Sequence, residues 1–283
     1  LGFGLMRTID FCLEEPRDIW GTLTLPDEGV VLKPPVVISH GFLGFKDWAF
    51  FPWVADSFAA NGFPVVRFNF SGSGMGPQVD GPFEDLAGFE ADTISRQVED
   101  LKRVLGAVVL GGLEPDLKAS PKVFLWGHSR GGGVSLLTAV NRPEVLGIAT
   151  WATIARVNRY LFDVKKVWKE KGFYPFESSR TGQMLRLGVA FLEDAEHWGR
   201  EGDIPTYLHH LQVPVLLLHG SEDTSVKPDE SESLAAVHPQ AQLAILAGAD
   251  HKFKSEHPFR SPSPQLEAAM DRTIEFFRSV QNL

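Results

Sequence analysis

Cys12 is the only cysteine in 283 residues, so no disulfide can close within the chain, and a reducing compartment such as the cytoplasm is the simpler setting. Long apolar runs are also missing. None approaches the roughly 20 residues of a membrane span, so no membrane is expected as a partner. Basic residues are scarce, 27 against 36 acidic ones, for a formal charge of −9. A phosphate-binding surface needs clustered Lys and Arg, so nucleic acid is not expected either. The chain has no internal repeat, no low-complexity tract and no interdomain linker. Neither a His-Glu-x-x-His motif nor a Cys/His cluster is present, and the pair His209-His210 stands alone, so a metal is not expected. The N-terminus lacks a charged start followed by an apolar stretch of signal-peptide length. Met6 is a candidate natural start, and the five residues before it are set aside from fold reasoning.

What is present suits a soluble cytoplasmic enzyme: 43% apolar residues, enough for a sizeable core, with 22% charged. Residues 7–14 and 19–25 read as two antiparallel strands joined by a turn at Pro16. Residues 35–39 form a short, wholly apolar run of the kind buried on both faces of a parallel sheet. A helix is expected over 47–60, with Pro52 in its first turn. A strand follows at 64–70. Ile94, Val98, Leu101, Leu105 and Val108 recur at helical spacing and predict a helix over 89–110. Then come a strand at 122–126, a helix from about 130 to 141 and a strand near 146–151. Strands alternating with helices imply an α/β fold with a mostly parallel sheet covered by helices on both faces.

That alternation stops between residues 153 and 210, a stretch far longer than the usual connection of about 2–6 residues. It reads as an inserted helical cap, rich in aromatic residues and lysine, over a core made of 7–152 and 211–283. The core resumes with a strand at 213–219, a helix at 229–237, a strand at 241–246 and a closing helix marked by Leu266, Met270, Ile274 and Phe277.

The chemistry centres on Val123–Gly133, where an apolar run ends in Gly127-His128-Ser129-Arg130-Gly131 and a second apolar segment follows. Strand, sharp turn, helix is the setting of a nucleophile elbow. Glycine at 127 and 131 suits a backbone too closely approached for a Cβ. Asp223 and His251 fall after two later strands, at the sheet edge where open α/β sheets place their ligand sites. The order Ser129, Asp223, His251 is that of the α/β-hydrolases.

On these residues, with His40-Gly41-Phe42 after the third strand, the chain resembles an α/β-hydrolase of the esterase and serine-aminopeptidase-like group, nearest to feruloyl or cinnamoyl esterase-like members. The likeness runs from about residue 19 to the end. It implies the α/β-hydrolase fold, Ser129 as nucleophile, His251 as base and Asp223 as the acid that orients it. It also implies an oxyanion hole made by the backbone N–H groups of Phe42 and Arg130. The expected partner is a small-molecule ester, with no cofactor. Peptides, thioesters and some carbon–carbon bonds yield to the same catalytic set, and an idle relative would use the fold only for binding. Oligomeric state is not legible.

Each role has rivals: Glu222 and Asp250 for the acid, and His40, His128 and His257 for the base. His40 resembles a residue that orients the oxyanion loop. In the cap, Trp168, Tyr174, Trp198 and Tyr207 are candidates for an aromatic acyl pocket. The loop Gly72-Ser73-Gly74-Met75-Gly76 has the wrong spacing for a nucleotide and is expected to line one side of the pocket.

Overall fold

In the computed structural model, residues 6–113 and 120–282 are described; residues 1–5, set aside above, lie outside them. The chain opens with β1 (Arg7–Leu13) and β2 (Ile19–Leu25), paired antiparallel from Arg7 opposite Leu25 to Leu13 opposite Ile19. β3 (Val36–Ser39), α1 (Phe51–Ala60) and β4 (Val65–Phe68) follow, then α2 (Leu86–Glu90), α3 (Ile94–Leu110), β5 (Val123–His128), α4 (Arg130–Ala139) and β6 (Val145–Trp151). The next elements, α5 (Phe162–Lys171), β7 (Phe173–Glu177), β8 (Met184–Gly188), α6 (Val189–Arg200) and α7 (Asp203–His209), leave the main sheet. β9 (Val215–Gly220), α8 (Pro228–Val237), β10 (Ala241–Leu246) and α9 (Pro264–Gln281) complete the chain.

Eight strands form one sheet in the order β1-β2-β4-β3-β5-β6-β9-β10, and every pairing is parallel except the two made by β2. Successive side chains of a strand point to opposite faces. Val36, Ile38, Phe124, Trp126, Leu216 and Leu218 therefore pack on one side with α1 and α9. Val37, Val123, Leu125, Val215 and Leu217 pack on the other with α3 and α4. Runs apolar at every position are what a sheet covered on both faces requires.

The strand order places the site. After β3 the chain crosses through α1 to β4 on one side, and then returns to β5 on the other side of β3. The loops following β3 and β5 thus emerge side by side at the switch point, the crevice in which open α/β sheets hold ligands.

Three local expectations shift. The helix predicted from residue 47 begins at Phe51, with Pro52 in its first turn. The Asp47 carboxylate binds Lys46 and Arg67 in a buried ion cluster instead of opening the helix. The helix predicted over 89–110 divides in two. Asp85 caps α2 by accepting from Gly88 N, and Thr93 restarts the helix by accepting from Arg96 N. The insertion carries its helices and also a β-hairpin, β7 paired antiparallel with β8. Its last helix, α7, packs against α4 and α8 of the core, as the parallel crossover from β6 to β9 demands.

Candidate active site

Ser129 sits between β5 and α4 with φ 55° and ψ −123°, backbone that a side-chain-bearing residue seldom adopts. The surroundings hold it there. Ser129 N–H donates to Trp151 O at 2.9 Å, and Gly132 N–H donates to Ser129 O at 3.0 Å. A Cβ on Gly127 would lie 2.5 Å from Gly131 O, and one on Gly131 would lie 2.3 Å from Ser39 O. The glycines therefore let strand, turn and helix pass at backbone contact. Gly41 follows the same logic, since its Cβ would approach Ser129 Cβ to 3.0 Å and push the β3 loop away.

Asp223 and His251 come together from the loops after β9 and β10. His251 Nδ1 bonds Asp223 Oδ2 at 2.7 Å, while Asp223 Oδ1 accepts from the backbone N–H of Ser225 at 2.8 Å and Val226 at 2.9 Å. Burial pushes the Asp223 carboxyl up, but hydrogen bonds from His219 and His251, the His251 charge and the Val226 N–H outweigh it. The group is held well below the usual carboxylate range. An ionised acceptor on Nδ1 keeps the proton there and leaves Nε2 of a neutral His251 free to accept.

His219 is assigned no role by the sequence alone. It is fully buried, with Nδ1 on Ser231 Oγ at 2.7 Å and Nε2 between Val226 O at 2.9 Å and Asp223 Oδ2 at 3.3 Å. It locks the acid in place from behind. The readable signal was a histidine on the strand four residues before the acid.

Each rival is occupied elsewhere. Glu222 pairs with Lys254 at 2.8 Å, and Asp250 accepts from the backbone N–H of Lys252 and Lys254. His40 Nδ1 donates to Gly41 O at 2.8 Å and its Nε2 accepts from Phe70 N–H at 3.2 Å, which fixes the β3 loop. Burial lowers its pKa to about 4 and keeps it neutral. His128 Nε2 donates to His251 O at 2.8 Å, with burial lowering its pKa to about 3. His257 Nδ1 accepts from Ala49 N–H.

Two cavities flank Ser129 and His251, both of which line each one. The first, about 340 Å³, is walled by Phe42, Ile94, Ile154, Val157, Tyr160 and Phe191, with Arg130 and Arg159. The second, about 350 Å³, is bounded by Trp48, Leu43, Lys252 and the hairpin-turn residues Ser178, Ser179 and Arg180. Phe42 lines both, and its ring lies 5.3 Å from that of Phe176 on β7. Arg130 opens α4, where the first N–H groups have no partner in their own helix. Phe42 and Arg130 line the first cavity together with Ser129.

The four aromatic residues expected to form the acyl pocket line neither cavity. Trp168 is 0% exposed and packs against Tyr160, Tyr174 and Phe191 as the insertion's own core. Tyr174 is partly exposed on β7. Trp198 donates to Ser95 Oγ at 3.1 Å and packs on Tyr207. Trp168 is spent on the insertion's own core, and Tyr160 and Phe191, which pack on it, are the rings that face the site. The loop at 72–76 also lies elsewhere: Gly74, Met75 and Gly76 line a separate cavity with Arg17 and Trp20. Asn69 Nδ2 donates to Gly76 O and draws it there. Among the described residues, no group of three or more His, Cys, Asp or Glu is arranged to hold a metal ion, and no helix is long and apolar enough to cross a membrane.

The family model for serine aminopeptidase, S33, matches residues 32–180. A curated mouse protein, sn-1-specific diacylglycerol lipase ABHD11, is 27% identical over 184 residues, 53% of this chain and 59% of that protein. The match thus spans about three-fifths of the relative's length. Among solved structures, Est1E from Butyrivibrio proteoclasticus with ferulic acid bound superposes with a TM-score of 0.74 at 17% identity, over 96% of this chain and 100% of that one. Mouse alpha/beta hydrolase domain-containing protein 10 gives 0.69 at 20% identity, over 97% and 99%. At such identities the likeness concerns the fold.

Proposed function

Because the chain belongs to the serine aminopeptidase S33 family and has the α/β-hydrolase fold, we propose that it is a serine hydrolase cleaving carboxylic esters through an acyl-enzyme on Ser129. The observation that carries this reading is the His251 Nδ1 to Asp223 Oδ2 bond at 2.7 Å, on a histidine that shares both cavities with a serine held at an elbow.

In this reading Ser129 Oγ attacks the acyl carbonyl as its proton passes to His251 Nε2. Asp223 keeps the imidazole in the needed tautomer and stabilises the imidazolium. The carbonyl oxygen, now negative, accepts the N–H groups of Phe42 and Arg130, each donor worth roughly 3–4 kcal/mol. The tetrahedral adduct collapses, the alcohol leaves with the proton from His251, and Ser129 stays acylated. Water, deprotonated by His251, then releases the acid and restores Ser129.

The family's name raises peptide cleavage as a second reading, and charge speaks against it. An aminopeptidase must receive an α-ammonium group. Among the described residues no Asp or Glu lines either cavity, whereas Arg130, Arg159, Arg180 and Lys252 do. Aromatic or short acyl groups fit the apolar first cavity, with Phe42, Tyr160 and Phe191 in the place assigned above to four other rings. The ferulic acid bound by Est1E is consistent with an aromatic acyl group. The lone cysteine suits the cytoplasm.

A fluorophosphonate probe tests the reading. It is expected to label the wild type on Ser129, and Ser129→Ala abolishes both labelling and short-chain nitrophenyl ester turnover with the melting temperature nearly unchanged. A folded wild type that resists the probe would overturn it. Turnover of aminoacyl anilides faster than of esters would favour the peptidase, and methyl ferulate no faster than methyl butyrate would remove the aromatic preference.

A further inference from the structure

The Arg130 backbone serves the oxyanion in the reading above, but its side chain poses a separate problem. Arg130 is 8% exposed and lines the first cavity, its guanidinium packed against the rings of two other lining residues. Phe42 and Phe191 lie 4.1 Å and 4.6 Å from it. Nη1 has no hydrogen-bond partner, and no carboxylate lies within ion-pair distance among the described residues. Removing a cation from water without a counter-ion is costly, and buried charges are ordinarily paired.

The neighbours do not resolve the deficit. Arg159 adds a second positive charge to the same wall, but Glu230 matches it: Oε1 sits 3.0 Å from Arg159, and Oε2 accepts from Ala155 N–H. The Tyr160 hydroxyl and the Asp92 carboxylate both favour the Arg130 charge, while burial and Arg159 oppose it. Asp92 is itself buried outside the cavity lining, with Oδ2 accepting from Gln97 Nε2, and burial pushes its carboxyl up to about 7. It is therefore only partly charged near neutrality.

One cation thus remains only partly compensated, with Nη1 unpartnered, in a largely apolar chamber that also holds Ser129 and His251. We infer that this chamber selects esters carrying a carboxylate, which the Arg130 guanidinium receives while the Phe42, Ile94, Ile154, Val157 and Phe191 walls pack the carbon chain between carboxylate and ester. A monoanion suits the single unmatched charge better than a phosphate dianion. The inference rests on Ser129 being the nucleophile of a hydrolase.

The test compares mono(4-nitrophenyl) glutarate with its neutral methyl ester. In the wild type kcat/KM is expected to favour the anionic ester at least tenfold, about the worth of one charge-assisted hydrogen bond. The preference persists in about 0.5 M NaCl, where long-range steering by surface cations is screened. Arg130→Met brings the ratio to about one or below, and Arg130→Lys keeps part of it. The ratio is the readout because the Arg130 backbone belongs to the oxyanion hole.

In the unaltered protein, hexanoate protects Ser129 from the fluorophosphonate at lower concentration than hexan-1-ol or hexyl phosphate. This arm stands even if Arg130→Met fails to fold. A wild type that turns over the neutral ester equally well, or an Arg130→Met variant that retains the preference, would overturn the inference and leave the hydrolase reading intact. Better protection by hexyl phosphate would overturn the choice of a carboxylate. No turnover of either ester, together with no labelling, would sink the hydrolase reading and the inference with it.

Discussion

Replacing Gly131 with alanine sets two physical effects against each other. Gly131 is the second residue of α4, and within a helix alanine is favoured over glycine by about 1 kcal/mol. Propensity alone therefore predicts a more stable protein. The new Cβ, however, would lie 2.3 Å from Ser39 O and 2.4 Å from His40 O. A close carbon–oxygen contact is about 3.3 Å, so helix and strand must part by about 1 Å. Neither can yield easily. β3 is hydrogen-bonded on both sides, to β4 and β5, and every residue of α4 is buried. Overpacking of this kind costs about 1–3 kcal/mol or more, which outweighs the propensity gain. Gly106 is the control: it lies inside α3 with nothing within 4 Å of its would-be Cβ, so only propensity acts. Taking about 2–4 °C per kcal/mol, Gly106→Ala is expected to raise the melting temperature by a few degrees, while Gly131→Ala lowers it. Gly131→Ala also slows fluorophosphonate labelling of Ser129 by about 10²-fold, since 1 Å of misplacement costs that much. The comparison needs only thermal melts and labelling rates. If both variants gained stability alike and labelled at the wild-type rate, the elbow would have slack and the steric account of its glycines would be wrong.

Asp223→Asn removes the ionised acceptor from His251 Nδ1, so nitrophenyl ester kcat is expected to drop about 10⁴-fold with the fold retained; a loss under tenfold would demote Asp223. His128 is neutral in the fold down to about pH 3, whereas an unfolded histidine takes up its proton near 6.5. Between those values acid favours the unfolded chain by about 1.4 kcal/mol per pH unit, and the effect is lost above pH 6.5. The stability difference between wild type and His128→Gln, measured by urea unfolding at pH 7.5 and pH 4.5, should therefore shift by about 3 kcal/mol against the wild type. Parallel pH profiles would refute this.

Legibility followed the range of the interactions involved. Strands apolar at every position, such as 36–38 and 215–218, announce a sheet covered on both faces because no other setting removes both sides from water. Ser129, Asp223 and His251 could be proposed because each follows a strand and parallel strands carry their C-terminal ends to one edge, so chain order stood in for distance. Local competition was harder to read. The periodicity through 89–110 does not reveal that Thr93 interrupts it with a cap, and Asp47 looks like a helix opener until Lys46 and Arg67 claim its carboxylate.

The insertion was the least legible part, for a reason its own packing supplies. Trp168, Tyr174, Trp198 and Tyr207 stand out in the sequence as rings able to bind substrate, yet the insertion must also build a core, which it does from Trp168 with Leu185, Leu187, Phe191 and Leu192. Trp168 is consumed by that need and reaches the site only through the rings of Tyr160 and Phe191 that pack on it. Arg130 shows the converse. Its position beside Ser129 marks its backbone, while the orientation of its side chain between Phe42 and Phe191 depends on three segments meeting. The proposed specificity therefore rests where the insertion touches the β3 and β5 loops, in contacts between residues far apart in the chain, and composition within the insertion is a poor guide to them.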